Sequence, residues 1–203
     1  MTPLGWLAAL VLFLQLPIPL YWFVLHPQVN FWRGRSKAAL ITGALCAWPP
    51  VGVCLVVFRR EIFRPDWPPI GSIAAGFALL AAEGWIFWRV KRDLGGDRLM
   101  GKTELSGGGE IVETGIYSRI RHPRYAGSLL AVLSACFLAG TRVMWIIAAC
   151  WAVLMRIAIA FEERELRARF GAAYEEYCRR VPRFLPLGLR PHSGREAAHR
   201  GVS

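Results

Sequence analysis

Residues 4–25, 38–58 and 70–90 are apolar for 22, 21 and 21 residues in turn, and the charges crowd between them. A helix needs about 20 such residues to cross a bilayer, because in hydrocarbon each backbone amide must find its partner within the segment. A chain of 203 residues cannot hide three runs of this kind inside one soluble core. The composition agrees, with 55% hydrophobic and 19% charged residues, against about 45–50% and ~25% in soluble domains. An ordinary soluble enzyme is excluded. The net charge of +11 does not point to nucleic acid, since the basic residues flank the apolar runs instead of covering one polar domain.

Two further apolar runs, 126–140 and 143–161, are separated only by Thr141-Arg142. The first of them would be roughly 22 Å long as a helix, short of a ~30 Å hydrocarbon layer, so the two are expected to form a tight helical hairpin. The fold class is therefore all-α: a polytopic membrane protein of about five helices, with a cytoplasmic C-terminal helix over 162–181. The first run reads as a retained membrane helix and not a signal peptide, having no Lys or Arg before Arg33 and no small-residue cleavage site. With the N-terminus outside, the inner regions hold 20 Lys and Arg and the outer ones 4, which sets the C-terminus in the cytoplasm. Arg outnumbers Lys 22 to 3, a bias that suggests a bacterial inner membrane. Pro17, Pro19 and the Pro49-Pro50 pair each remove a backbone donor and are expected to kink the first two spans. Three sections follow: membrane helices over 1–69, a core over 70–186, and a tail over 187–203 expected to be disordered.

The polar minority carries the chemistry. Four of the five cysteines, Cys46, Cys54, Cys136 and Cys150, lie within apolar runs, and no His/Cys cluster has metal-ligand spacing, so no metal is expected. The loop 91–125 is longer than most connectors, and loops of that length are commonly functional. Its glycines do not form a dinucleotide fingerprint after a strand. It ends in Gly115-Ile116-Tyr117 and Arg121-His122-Pro123-Arg124-Tyr125. Pro123 suits the first turn of a helix, where its missing donor is harmless, leaving His122 and Tyr125 beside free backbone N–H groups at the positive helix end. Such a place suits a carboxylate or a ribose hydroxyl.

A second cluster follows the fifth run: Glu162-Glu163, then Leu166, Phe170, Tyr174, Tyr177 and Val181-Pro182-Arg183-Phe184. The apolar positions make one helical face. Glu163–Arg167, Glu165–Arg169, Glu175–Arg179 and Glu176–Arg180 are expected as ordinary i,i+4 pairs. Glu162 differs, standing where the hydrocarbon ends and a carboxylate needs a partner. Glu83 and Arg156 fall inside spans, where ionisable groups are paired or functional.

GIYSRIRHPRYAG at 115–127 and EERELRARFGAAYEEYCRRVPRFLP at 162–186 together resemble the isoprenylcysteine carboxyl methyltransferase family, which shares its C-terminal half with the membrane phospholipid N-methyltransferases. The likeness runs from about Trp85 to Pro186. It implies a membrane-embedded helical enzyme that uses S-adenosylmethionine. Carried over from the family, the cofactor-binding candidates are Glu110, Ile111, Val112, Tyr117, His122, Pro123, Arg124, Tyr125 and Glu162. The prenylcysteine enzymes carry an arginine about four residues before the glutamate; here that position is Ala158, and Arg156 is the nearest arginine.

Methyl transfer from a sulfonium needs alignment and exclusion of water more than acid-base help. The expected acceptor is the carboxylate of a lipophilic or lipidated substrate entering from the bilayer and meeting Arg156. An amine acceptor, as in a phospholipid N-methyltransferase, would need a base such as Glu83. A membrane reductase on a related core and a non-enzymatic membrane protein are the remaining alternatives.

Overall fold

The computed structural model describes residues 1–25, 42, 45–95 and 110–184, all helical or irregular apart from one isolated β-bridge. The expected tail 187–203 and the glycine-rich stretch 96–109 lie outside the described residues.

The first apolar run is divided by its prolines. α1 (Pro3–Gln15) starts on Thr2, whose side chain accepts the Gly5 N–H at 3.1 Å, with Pro3 in the first turn where it is tolerated. α2 (Ile18–Leu25) follows after a two-residue break. Pro19 has no N–H to offer the Gln15 carbonyl four residues back. The Trp151 indole N–H takes that carbonyl instead, at 3.1 Å. The kink is thereby fastened to a distant helix.

The other proline pair is placed alike. Pro49 and Pro50 lie in the first turn of α3 (Trp48–Val57), after a two-residue break at Cys46-Ala47 that follows helical Leu45. α4 (Arg59–Ile62) leads to Phe63, which bridges Gly140, and the Arg64 N–H takes the Ala139 carbonyl at 2.9 Å. This last contact satisfies one of the orphan carbonyls at a helix end.

α5 (Ile70–Leu94) is 25 residues long, or roughly 37 Å. Its Phe77, Trp85, Phe87 and Trp88 are exposed, as befits a face turned to lipid. α6 (Pro123–Ala139) is the most enclosed helix, packed mainly on α5 and α1, with Ala131, Val132, Ala135 and Leu138 nearly inaccessible. Ser72 on α5 donates to the Phe137 carbonyl at 2.6 Å. The break expected at Thr141-Arg142 falls one residue earlier, at Gly140-Thr141, with Thr141 accepting the Met144 N–H as the cap of α7 (Arg142–Phe170). The resulting hairpin is loose, because α6 has more of its surface against α5 than against α7.

Among the described residues three helical runs are long and apolar enough to cross a membrane: Pro3–Phe23, α5 and α7. α3 and α6, with 10 and 17 residues, are apolar but shorter. Part of the expected second span, from 38 to 58, lies outside the described residues.

The C-terminal helix expected over 162–181 is not a separate element. Residues 162–170 continue α7, so membrane and polar parts form one rod of 29 residues, roughly 43 Å. The rod stops at Gly171, whose φ of +52° an L side chain would resist, and α8 (Ala172–Arg180) turns away. The apolar face survives the break: Tyr174, Tyr177 and Val181 are buried against Leu166, Phe170 and Ile111. Glu163–Arg167 at 3.3 Å and Glu176–Arg180 at 3.5 Å form as expected. Glu175 instead reaches back across the break to Arg167 at 2.9 Å.

Candidate functional site

The loop before α6 is fixed at both ends. Gly115, with φ +60°, opens a short 3₁₀ turn over Gly115–Ser118, and the Asp93 carboxylate at the end of α5 accepts the Ile116 N–H at 2.8 Å. A Cβ on Gly115 would collide with that carboxylate. At the far end, the Arg121 and His122 N–H groups donate to the Pro182 and Arg183 carbonyls at 2.9 and 3.1 Å. The chain beyond α8 is thus tied across the start of α6.

Beneath this tie sits Glu163, 1% exposed. Arg183 donates to both of its oxygens at 2.9 and 2.6 Å, and Arg121 and Arg167 each donate at 3.3 Å. His122 Nε2 lies 3.1 Å from the same carboxylate. A carboxylate can only accept, so Nε2 carries the proton and Nδ1 turns to Glu162, whose Oε2 is 3.7 Å away. Four donors from α7, the loop and the C-terminal segment therefore converge on one buried acid, which is enough to offset its desolvation.

A cavity of about 130 Å³ opens beside His122. Glu110, Ile111, Val112, Tyr117, His122 and Glu162, six of the sequence-derived cofactor candidates, line it. Its remaining wall is Leu94, Arg121, Leu166, Arg169, Phe170, Tyr174 and Tyr177, the last five from the amphipathic face. Two buried polar atoms in this wall have no hydrogen-bond partner among the described residues: Glu162 Oε2 and the Tyr174 hydroxyl. Tyr177 donates to the Tyr117 carbonyl at 2.7 Å. Burial, then the neighbouring Cys178, Glu163 and Glu162, hold the Tyr174 phenol well above its usual range. Burial and Tyr117 do the same for Tyr177. Both remain neutral donors at any physiological pH.

The other candidates stand elsewhere. Pro123 is buried in the first turn of α6. Tyr125 is buried, its ring 5.6 Å from His122 and edge-on to Trp22 at 6.4 Å. Arg124 lies over the Trp22 ring at 5.1 Å and lines a second cavity of about 120 Å³ together with Glu83, Gln15, Ile18 and Ser128. Arg156 is exposed on α7 and borders neither cavity, while Ala158 is wholly buried in the core. No ion pair joins Glu83 to Arg156 among the described residues.

Glu163 went unrecognised in the sequence as a structural hub, although a signal was there. The buried positions of α7 are 144, 148, 151, 155, 158, 159 and 163, a helical stripe that carries the second glutamate into the interior.

A phospholipid methyltransferase family profile matches residues 72–173, half of the chain and all of α5, α6 and α7 apart from the first two residues of α5. The chain belongs to the phospholipid methyltransferase family. The family region includes the 110–122 loop and both glutamates, and ends at α8 beside Tyr174. A curated relative, methanethiol S-methyltransferase 2 of Bradyrhizobium diazoefficiens, is 38% identical over 141 residues, covering 63% of this chain and 52% of that protein. The chain thus spans about half the length of that relative. No solved structure matches. Family membership, a methyltransferase relative and the three long apolar helices together make this a membrane methyltransferase family protein.

Proposed function

We propose that this protein is an S-adenosylmethionine-dependent methyltransferase whose acceptor is a thiol or a lipophilic molecule arriving from the bilayer. The observation that carries the reading is the pair of unpartnered buried groups, Glu162 Oε2 and Tyr174 OH, in the wall of the His122 cavity. An acceptor and a donor buried without partners are unfavourable unless a polar ligand joins them. The donor set suits S-adenosylmethionine: Glu162 for ribose hydroxyls or the amino group, Tyr174 and Arg169 for the carboxylate or ring nitrogens, and Ile111, Val112, Leu166 and Phe170 for the adenine face. When bound, the cofactor supplies an activated methyl group.

The residues of this chain do the rest. Glu163 fixes the His122 ring through Nε2, which leaves Nδ1 turned toward Glu162 in the cavity wall. Tyr177 holds the loop at Tyr117, and the tie from 121–122 to 182–183 closes the cavity on one side and excludes water. With the N-terminus outside, this cavity opens to the cytoplasm and the acceptor approaches from the membrane side.

The relationship to a methanethiol S-methyltransferase favours a thiol acceptor. A lipophilic carboxylate, expected from the motif resemblance, is the second reading, and it rests on Arg124 at the second cavity because Arg156 borders neither. The test is calorimetric binding of S-adenosylmethionine to purified protein, followed by transfer of labelled methyl to methanethiol or host lipid extract. Binding in the wild type, weakened about tenfold in His122→Ala and Glu162→Gln, is expected from the loss of one charge-assisted hydrogen bond. Unchanged affinity in both variants refutes the assigned cavity. Volatile thioether product identifies a thiol, and base-labile lipid product a carboxylate.

A further inference from the structure

Beyond the carboxylate reading at Arg124, the second cavity has no assigned ligand. It lies beside the first: Leu94 lines one and Val90, a single helical turn back along α5, lines the other, about 6 Å deeper. At the start of α6, His122 lines the first cavity and Arg124, two residues on, the second. Its walls come from α1, α2, α5 and α6, so the N-terminal helices, which carry no family motif, complete it.

Three features define what it can hold. Its volume of about 120 Å³ is near that of a cavity that takes up benzene, ~150 Å³, so it admits a body of a few heavy atoms. Gly127 lets α6 lie close to α5 at this wall: a Cβ there would stand 3.3 Å from Ile86 Cγ2 and 3.8 Å from Glu83 Cγ. Glu83 itself sits mid-way along α5 with no described residue paired to it, a costly state for an ionisable group within a span unless a ligand meets it. The Arg124 guanidinium, by contrast, is already engaged over Trp22.

We infer that this second cavity binds a small neutral thiol, with the Glu83 carboxyl accepting the S–H hydrogen bond and the apolar walls of Ile18, Ile86 and Val90 holding the carbon body. This rests on the methyltransferase reading and adds where the acceptor waits. A carboxylate ligand meets repulsion from Glu83. An ammonium ligand must shed its hydration to enter an apolar cavity, which a neutral thiol need not do.

The test is binding, not turnover. Full-length protein in lipid nanodiscs, without cofactor, is titrated with 1-propanethiol, propylamine and propionate by saturation-transfer NMR, empty nanodiscs serving as the blank. Expected is saturable binding of propanethiol, weaker by roughly fivefold in Glu83→Leu, the factor one hydrogen bond supplies, and retained in Glu83→Gln, which keeps an acceptor carbonyl. Equal affinity in the Leu variant overturns the inference. So does tighter binding of propionate or propylamine to the wild type, a comparison that needs no variant to fold. Calorimetry with S-adenosylmethionine separates the two readings. Its binding should be unchanged in both Glu83 variants, and its absence in the wild type would sink the methyltransferase proposal while leaving the thiol result to stand alone.

Discussion

Glu163→Gln removes one charge and almost no volume, and it tests the hub directly. The carboxylate receives Arg183 at 2.9 and 2.6 Å, Arg121 and Arg167 at 3.3 Å, and His122 at 3.1 Å. Removing one partner of a buried ion pair costs about 3–5 kcal/mol, mainly because the other charge is stranded. The three arginines are not equally stranded. Arg183 and Arg167 are 38% and 40% exposed and regain water, whereas Arg121 is 8% exposed and cannot. The loss should therefore fall at the low end, about 3 kcal/mol. For a chain of this size each kcal/mol moves the unfolding midpoint by roughly 2–4 °C, giving a fall of about 6–12 °C. Thermal unfolding in detergent measures it. Glu162→Gln, next door but partly exposed, is the control and should shift the midpoint by no more than about 2 °C. A midpoint for Glu163→Gln equal to wild type, or a larger fall for Glu162→Gln, would mean that the hub does not hold the fold together.

Further outcomes follow from the same geometry. Gly115→Ala places a methyl against Asp93 and demands a positive φ, so the Ile116 cap opens. Calorimetry should find S-adenosylmethionine binding weakened severalfold, with unfolding lowered by only ~1–2 kcal/mol. Tyr177 and Tyr174 hold their protons above the usual phenol range, whereas unfolded phenols titrate near ~10. Below that pH both states are protonated and these groups add no slope. Above it the unfolded chain releases protons that the folded one keeps, so stability falls as pH rises. Denaturant unfolding between pH 8 and 11 should show this decline, and Tyr177→Phe should flatten it.

Much of this architecture was legible because membranes impose a coarse code. Length and hydropathy located the long helices, and Pro123 marked a helix start because its missing N–H is harmless there. The loop motif led to His122, Tyr117 and the 110–112 strip, which do line the cavity. What failed to show was three-dimensional convergence. Arg121 and Arg183 are 62 positions apart, and nothing in their spacing says that they meet on Glu163. Pro17-Pro19 and Pro49-Pro50 both stand at a two-residue break, but nothing in the sequence says that Trp151, far along the chain, takes the Gln15 carbonyl at the first of them. Gly171 was read as part of a helix since one glycine rarely outweighs a periodic apolar face. Here the face persists across the break by folding back on itself.

The unbroken course of α7 has a mechanical consequence. A single rod of 29 residues carries the apolar run 143–161 and ends at Phe170 in the wall of the His122 cavity. Its polar portion acts as a lever arm of about 13 Å beyond the last apolar residue, so a 10° change in tilt swings the far end by about 2 Å. Helices answer a thinner or thicker bilayer by tilting. The spacing between Leu166, Phe170 and the loop across from them is consequently set in part by the lipids around the protein, and the aqueous half of the molecule is geared to the thickness of the membrane that carries it.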